Sequence, residues 1–111
     1  MTPEGGIKQA CLQWLLVRGI YAWNNSTGAM EIRPGQYMKF GKKGSSDIIG
    51  ILPGGRFLAV ECKSRGGRLS ERQKEFLKAV NDCGGLGIVA YGIDDIETAF
   101  LEAGILKKPR K

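Results

Sequence analysis

The chain contains no histidine at all and only three cysteines among its 111 residues. The lack of histidine excludes the Ser-His-Asp and Cys-His arrangements of nucleophilic enzymes and argues against a structural zinc site. The cysteines, Cys11, Cys62 and Cys83, are odd in number, far apart and each set in an apolar segment. Such usage predicts buried free thiols in a reducing compartment rather than a disulfide framework.

Long apolar runs are also missing, since no segment approaches the roughly 20 residues that span a bilayer. The first residues, MTPEGGIKQ, lack the basic-then-apolar order of a secretory signal. We therefore expect a cytoplasmic protein without a membrane partner. Its length of 111 residues is too short for two independent cores and predicts one domain.

Positive charge is in excess, because 17 lysines and arginines stand against 11 acidic residues, for a formal net charge of +6. A basic balance on a small domain points to a polyanion such as nucleic acid, although it can simply aid solubility. Much of this charge lies at the end of the chain, in KKPRK. We expect a single domain over residues 1–106 and a solvated basic tail over 107–111.

Local patterns predict the element order helix, three strands, helix, strand, helix. Thr2-Pro3-Glu4 has the cap, proline and acid that are typical of a helix start, and Gly19 ends that helix. The other predicted elements are a strand over 20–23, an exposed hairpin-like loop over 24–36, two paired strands within 45–64, a helix from 70, a buried strand over 86–92 and a helix over 94–103. For 37–40 the pattern does not decide between strand and loop. The order predicts an α/β fold with a central mixed sheet flanked by helices.

Three charged residues, Asp47, Glu61 and Lys63, interrupt the apolar strands of SSDIIGILPGGRFLAVECKS. Glu61 and Lys63 share a face, because residues two apart in a strand point the same way. A three-residue turn at 53–55 would place Asp47 opposite Glu61, whereas a two-residue turn without a bulge would turn Asp47 away. We predict the first register. Unpartnered charges on a half-buried sheet cost several kcal/mol, so these residues need each other or a ligand.

Two carboxylates and a lysine at one sheet edge are suited to phosphodiester hydrolysis. Carboxylate oxygens bind hard cations such as Mg²⁺ or Mn²⁺, which keep waters or phosphate oxygens in their remaining positions. A metal there lowers the pKa of bound water and neutralises charge on the phosphate. Lys63 would orient or deprotonate the attacking water, or stabilise the developing charge.

The pattern Asp47…Glu61-Cys62-Lys63 resembles the D…(D/E)-x-K motif of the PD-(D/E)xK nucleases. Its flanks are similar to the VRR-NUC (virus-type replication-repair nuclease) family, in which Lys-Gly-x-x-Asp precedes a strand ending in Glu-x-Lys and a helix beginning near Ser-x-x-Gln follows. Here those segments are KGSSD at 43–47, VECK at 60–63 and SERQ at 70–73. The resemblance covers nearly the whole chain, with a serine in place of the superfamily's proline before Asp47.

The resemblance implies a restriction-endonuclease-like core and a role for each matching residue. Asp47 and Glu61 would bind the metal together with the main-chain carbonyl of Cys62, and Lys63 would be the catalytic lysine. The alternative for this set is a structural ion pair at the sheet edge.

Two further members of the implied catalytic set also have a local explanation. Glu4 would add a carboxylate from the first helix, also as a metal ligand, or it could merely complement the helix dipole. Gln73 would reach the site from its own helix, yet SERQ also fits a capping box.

Basic and hydroxyl residues flank this set on both sides. The segment GKKGSS at 41–46 fails the P-loop pattern and leads into a strand, so it does not predict a nucleotide site. For any single flanking residue a solvated surface position is the ordinary explanation. As a group, we expect contacts with the DNA backbone from Lys42, Lys43, Ser45, Ser46, Arg65, Arg68 and Arg72.

The sequence thus predicts a Mg²⁺- or Mn²⁺-dependent endodeoxyribonuclease without a small-molecule cofactor. The resemblance to Holliday-junction resolvases implies branched or four-way-junction DNA as substrate, a homodimer, and a bacterial or phage-infected host cell. Two alternatives stay open. One is a nucleic-acid-binding module that keeps the fold but no longer cuts, and the other is a nuclease directed at RNA.

Overall fold

A computed structural model describes residues 2–25 and 28–106 of the chain. The predicted basic tail lies outside the described residues. The helices are α1 (Pro3–Val17), α2 (Glu71–Asp82) and α3 (Ile93–Glu102). The strands are β1 (Tyr21–Asn24), β2 (Gly28–Arg33), β3 (Gln36–Phe40), β4 (Ile48–Ile51), β5 (Phe57–Cys62) and β6 (Leu86–Ala90). None of the helices in these ranges is both long and apolar enough to cross a membrane.

Four of the strands form a mixed sheet in the order β1-β4-β5-β6. β1, β4 and β5 are antiparallel neighbours, whereas β6 runs parallel to β5. The parallel pair requires a crossover, and α2 supplies it. Counting only the strands of this sheet, the element order is the predicted αβββαβα, so the predicted α/β fold with a mixed central sheet is confirmed.

Each face of the sheet is covered by helices, which gives two apolar cores. On one face α1 and α3 pack against the even-numbered positions of β5, and Cys11, Trp14 and Phe100 belong to this larger cluster. On the other face α2 packs with Leu77 and Val80 against the odd-numbered positions. Residues of β5 therefore alternate between the two cores, as the two-residue period of a strand requires.

The ends of α1 follow the sequence prediction. The Thr2 hydroxyl accepts a hydrogen bond from the Gly5 N–H at 3.0 Å, and Pro3 occupies the first turn. At the other end Gly19 adopts φ 76°, a left-handed conformation that glycine tolerates best. Both ends are therefore set by local residues.

The segment predicted as an exposed hairpin-like loop forms a two-stranded hairpin, with a shift of register between Glu31 and Arg33. β2 and β3 pair antiparallel over Gly28–Phe40 and make a separate two-stranded sheet, with all of β2 exposed. Gly35, at φ 78°, supplies the tight turn. The undecided residues 37–40 are thus strand, because they pair with β2 and not with the central sheet.

The three cysteines are free thiols, as predicted, and Cys11 and Cys62 are buried. The prediction of burial is wrong for Cys83, which is exposed. Cys83 caps the C-terminus of α2, where the helix ends in solvent.

Candidate active site

The β4–β5 pair has the register predicted from its turn. Ile48 pairs with Val60 and Ile51 with Phe57, and the Leu52 N–H donates to the Arg56 carbonyl at 2.8 Å. The turn therefore spans three residues, 53–55. The same register brings Asp47 opposite Glu61, at the open end of the pair, so the two carboxyl groups share one face.

The Asp47 carboxylate replaces a rung of the strand ladder. The Cys62 N–H donates to Asp47 Oδ2 at 2.9 Å, one residue beyond the last paired position of β4. This bond fixes one oxygen of the carboxylate at the end of β5, beside Glu61. Asp47 is half-buried, so its position is defined by packing as well as by hydrogen bonding.

Asn25, directly after β1, anchors the segment that leads into Asp47. Its N–H donates to the Asp47 carbonyl at 2.7 Å. Its side-chain Nδ2 donates to Ser45 Oγ and to the Ser46 carbonyl, each at 2.9 Å. Sequence reasoning did not identify Asn25, because these bonds join residues about 20 positions apart and no local pattern marks them.

Glu61 is a buried carboxyl group with only 2% of its surface exposed. Burial, a hydrogen bond with Asp47 and the negative charge of Asp47 raise its pKa from the ordinary 4.5 to about 8. Glu4 adds a smaller effect in the same direction, and the Lys63 ammonium opposes it. Within the described residues Glu61 Oε1 has no hydrogen-bond partner. In the metal-free protein Glu61 is therefore protonated at neutral pH.

Lys63 leaves the sheet beside these carboxyl groups. Its N–H donates to the Ala90 carbonyl at 3.0 Å, which extends the β5–β6 ladder by one rung. Gly67 lies against its aliphatic stem, since a Cβ placed there would be 3.4 Å from Lys63 Cβ and 3.5 Å from Cδ. The half-buried stem is thus held by the loop that follows it, and the ammonium acts on Glu61 electrostatically.

A cavity of about 400 Å³ joins Asp47 to the first turn of α1. Glu4 lines this cavity together with Asp47, and its role as a metal ligand stays a prediction. Lys8 and Ser64 line it as well, and sequence reasoning missed both. For Lys8 a signal existed, because it lies one helical turn after Glu4 on the same face.

Gln73 has the local role that its sequence context offered. Its side-chain oxygen accepts a hydrogen bond from the Ser70 N–H at 2.9 Å, and Ser70 Oγ accepts one from the Gln73 N–H at 3.2 Å. This reciprocal pair is a complete capping box at the start of α2. A catalytic role for Gln73 stays a prediction.

Five of the predicted DNA-binding residues line two separate cavities. Lys42, Lys43 and Arg72 line a cavity of about 480 Å³ next to α2. The loop that carries Lys42 and Lys43 packs closely against α2 at Gly44, because a Cβ at this glycine would lie only 2.7 Å from Arg72 Cβ. Arg65 and Arg68 line a wider groove of about 700 Å³.

Neither of the two serines before Asp47, which were predicted to contact DNA, is exposed. Ser45 is half-buried, and its hydroxyl accepts a hydrogen bond from Asn25. Ser46 is 1% exposed, and its hydroxyl has no partner among the described residues. The Ser46 side chain is therefore buried in the loop that enters β4. A contact of either serine with DNA stays a prediction.

The donor set is small but compatible with a hard cation. No group of three or more histidine, cysteine or acidic side chains gathers around one point within residues 2–25 and 28–106. Mg²⁺, however, needs only one or two carboxylates and keeps several waters. Oε1 of Glu61, which has no hydrogen-bond partner among the described residues, is an atom that such a cation would satisfy.

Cys62 can offer this site only its carbonyl oxygen. Its side chain lies on the opposite face of β5, in the core beside Cys11. A hydrogen bond with the Cys11 thiol and burial raise the pKa of Cys62, so its sulfur stays protonated. A thiolate ligand is thereby excluded.

Comparison with protein families gives a match that covers this site. The VRR-NUC domain matches residues 3–94, a range that contains both carboxylates, Lys63, Gln73 and Glu4. Searches of the curated proteins and of the solved structures gave no match. A family match over most of the 111 residues, on a fold with the expected strand register, is decisive. The chain belongs to the VRR-NUC family and is a nuclease-type domain.

Proposed function

We propose that this protein is a Mg²⁺- or Mn²⁺-dependent endonuclease that hydrolyses DNA phosphodiester bonds at Asp47, Glu61 and Lys63. One observation carries the proposal. Asp47 and Glu61 face each other at the open end of β4 and β5, and a buried oxygen of Glu61 lacks a partner among the described residues. A buried carboxyl pair of this kind is costly unless a cation or a proton compensates it.

A divalent cation bound there would neutralise phosphate charge and activate a water molecule. The protein's own contribution is to hold the ligands in place. The Cys62 N–H fixes one Asp47 oxygen, and the carbonyl of the same residue is available on the same strand. Glu61 must lose its proton to become a ligand, so cation binding releases a proton near neutral pH.

Lys63 is the group best suited to act on the attacking water or on the phosphate. Its main chain is held by the ladder bond to Ala90 and its stem lies against Gly67, so the side chain leaves the sheet in a defined direction. An ammonium beside the phosphate would stabilise negative charge that develops during the reaction. Glu4 and Lys8, across the cavity, frame the other side of the site.

The two basic groups support a polynucleotide backbone as the substrate. One contains Lys42, Lys43 and Arg72, and the other contains Arg65 and Arg68. Phosphate contacts position a strand without reading its sequence. We propose branched or four-way-junction DNA as the preferred substrate, with RNA as the alternative that direct comparison decides.

We also propose a homodimer that forms through the β2–β3 hairpin. Met30 pairs with Met38 on one face, and these side chains are 51% and 48% exposed. Apart from their pairing with each other, β2 and β3 make few contacts with the other described elements. A lone two-stranded hairpin is marginally stable in water, so an apolar cover supplied by a second copy would stabilise it.

Light scattering tests the dimer. It should give twice the mass of one chain for the parent protein, and the double variant Met30→Lys, Met38→Lys should be a monomer. A monomeric parent protein would refute the dimer.

The activity is tested with supercoiled plasmid, flapped duplex, four-way junction and an RNA duplex, each with Mg²⁺, Mn²⁺ or EDTA. Asp47→Asn should abolish cutting, whereas Asp94→Asn, an exposed acid in the first turn of α3, should retain it. Cutting that persists in Asp47→Asn would refute the site. Binding of DNA without cutting in any metal would favour the non-catalytic binding module.

A further inference from the structure

An aromatic side chain stands next to Lys63 at the edge of the sheet. Tyr91 directly follows Ala90, the residue that pairs with Cys62 and accepts the Lys63 N–H. Because β5 and β6 are parallel, Lys63 and Tyr91 leave the same end of neighbouring strands. Tyr91 therefore belongs to the rim of the proposed active site.

The ring of Tyr91 is exposed and yet held in place. The main-chain N–H of Tyr91 donates to Asp95 Oδ2 at 2.7 Å, and the hydroxyl on its ring donates to the Gly67 carbonyl at 3.1 Å. Despite these anchors 48% of the residue is exposed. A tyrosine that served only the core would bury its ring, so its exposure at a fixed angle calls for another partner.

Two arginines complete the surroundings of this ring. Arg65 and Arg68, together with Gly66 and Gly67, line the groove of about 700 Å³ into which Tyr91 faces. Aromatic faces flanked by cationic side chains are the usual means of holding single-stranded nucleic acid, since the bases stack and the phosphates pair. The glycines between the arginines leave room for a backbone to approach.

We propose that Tyr91 is a stacking platform for an unpaired base next to the phosphate held at Lys63. Arg65 and Arg68 hold the phosphates of that same strand. The inference rests on the proposed function and adds a substrate feature to it. A base within a duplex already stacks on its neighbours, so the platform selects strands with an unpaired nucleotide beside the cut. Every base has a π face, so it selects structure rather than sequence.

The test is a binding measurement in EDTA, where no cutting occurs. The probe is a thymidine oligonucleotide with one central 2-aminopurine, either single-stranded or fully paired in a duplex. Stacking on tyrosine should quench the fluorescence of the single strand and leave the duplex unchanged. Tyr91→Leu should lose the quench and bind the single strand roughly 5- to 100-fold more weakly.

Three further variants control this result. Tyr91→Phe keeps the ring without its hydroxyl bond and should still quench, and Tyr91→Trp should bind at least as tightly as the parent protein. Tyr21→Leu removes a tyrosine of β1, on the opposite edge of the sheet, that is even more exposed at 72%, and this change should leave quenching and affinity unaltered. Unchanged quenching and affinity in Tyr91→Leu would overturn the platform. A Tyr91→Trp variant that binds the single strand no more tightly than Tyr91→Leu would also overturn the platform.

Failure of the platform is distinguishable from failure of the proposed function. A protein that cuts DNA with metal, but whose Tyr91→Leu variant still quenches the probe, keeps the nuclease activity and loses the platform. A protein that never cuts, but quenches through Tyr91, keeps the platform and loses the nuclease activity.

Discussion

Replacing Glu61 by glutamine should stabilise the metal-free protein at alkaline pH and remove its response to divalent cations. Glutamine keeps the shape of the side chain and cannot ionise. Below about pH 4.5 the parent carboxyl group is protonated in both the folded and the unfolded chain, so the two proteins should then differ by less than about 1 kcal/mol in free energy of unfolding. At about pH 6 Glu61→Gln should already be more stable by about 2 kcal/mol, and the difference should keep growing until about pH 8.

The magnitude follows from the raised pKa of Glu61. In the unfolded chain this carboxyl group loses its proton near 4.5, and in the folded chain it does so near 8. Between these values the folded state binds the extra proton, so the stability of the parent protein falls as the pH rises. Above about pH 8 the loss is complete and amounts to at most about 5 kcal/mol. Glu61→Gln avoids this loss.

Urea unfolding at pH 6 and pH 9 measures the pH dependence of stability. The same measurement in EDTA and in about 10 mM MgCl₂, a concentration that saturates a weak site, measures the stabilisation by Mg²⁺. We expect Mg²⁺ to stabilise the parent protein and not Glu61→Gln. Glu97→Gln, an exposed acid of α3, is the matched control and should behave as the parent protein. Equal stability of the two proteins at pH 9 would show that Glu61 is not a destabilising buried charge. Mg²⁺ stabilisation retained in Glu61→Gln would show that this carboxylate is not a ligand.

Two further predictions concern the loops that position Asp47. Gly44→Ala combines a left-handed φ of 88° with a Cβ only 2.7 Å from Arg72 Cβ, so thermal unfolding should show a loss of about 2–4 kcal/mol. Gly66→Ala has a similar φ of 83° in open space and should lose only about 1–2 kcal/mol, and equal losses would contradict the close packing on α2. Asn25→Ala removes two side-chain hydrogen bonds to the loop before Asp47, and we expect a loss of about 1–3 kcal/mol with slower plasmid nicking. A variant with unchanged unfolding midpoint and nicking rate would show that Asn25 does not anchor the loop.

Local sequence rules predicted the parts of the molecule that local chemistry determines. The three-residue turn at 53–55 fixed the register that brings Asp47 to Glu61, because the side-chain period of a strand is two and a turn length allows only one pairing. The cap of α1 at Thr2 and the capping box at Ser70 formed as the residue types indicated. The central sheet followed because its element order leaves few topologies.

Features that depend on distant contacts were not predicted. Asn25 reaches the loop before Asp47 through hydrogen bonds to residues that are far away in sequence, which no periodicity reveals. Tyr91 comes beside Lys63 through the pairing of β6 with β5 and through its bond to Gly67, which are likewise distant in sequence. Ser46 was predicted at the DNA surface from its neighbours, whereas the strand entry buries it. The hairpin over Gly28–Phe40 was missed as regular structure because, exposed along β2, it lacks the apolar alternation of a half-buried strand. Cytoplasmic location, metal and substrate stay predictions.

The central claim is that Lys63, beside Asp47 and Glu61, takes part in hydrolysis. Its most direct test is the nicking rate of supercoiled plasmid in Mg²⁺ for Lys63→Ala, measured alongside Lys78→Ala, an exposed lysine that pairs with Asp82 on α2. We predict that Lys63→Ala nicks roughly 10²- to 10⁴-fold more slowly while Lys78→Ala keeps the parent rate. Equal nicking rates in the two variants would contradict the account.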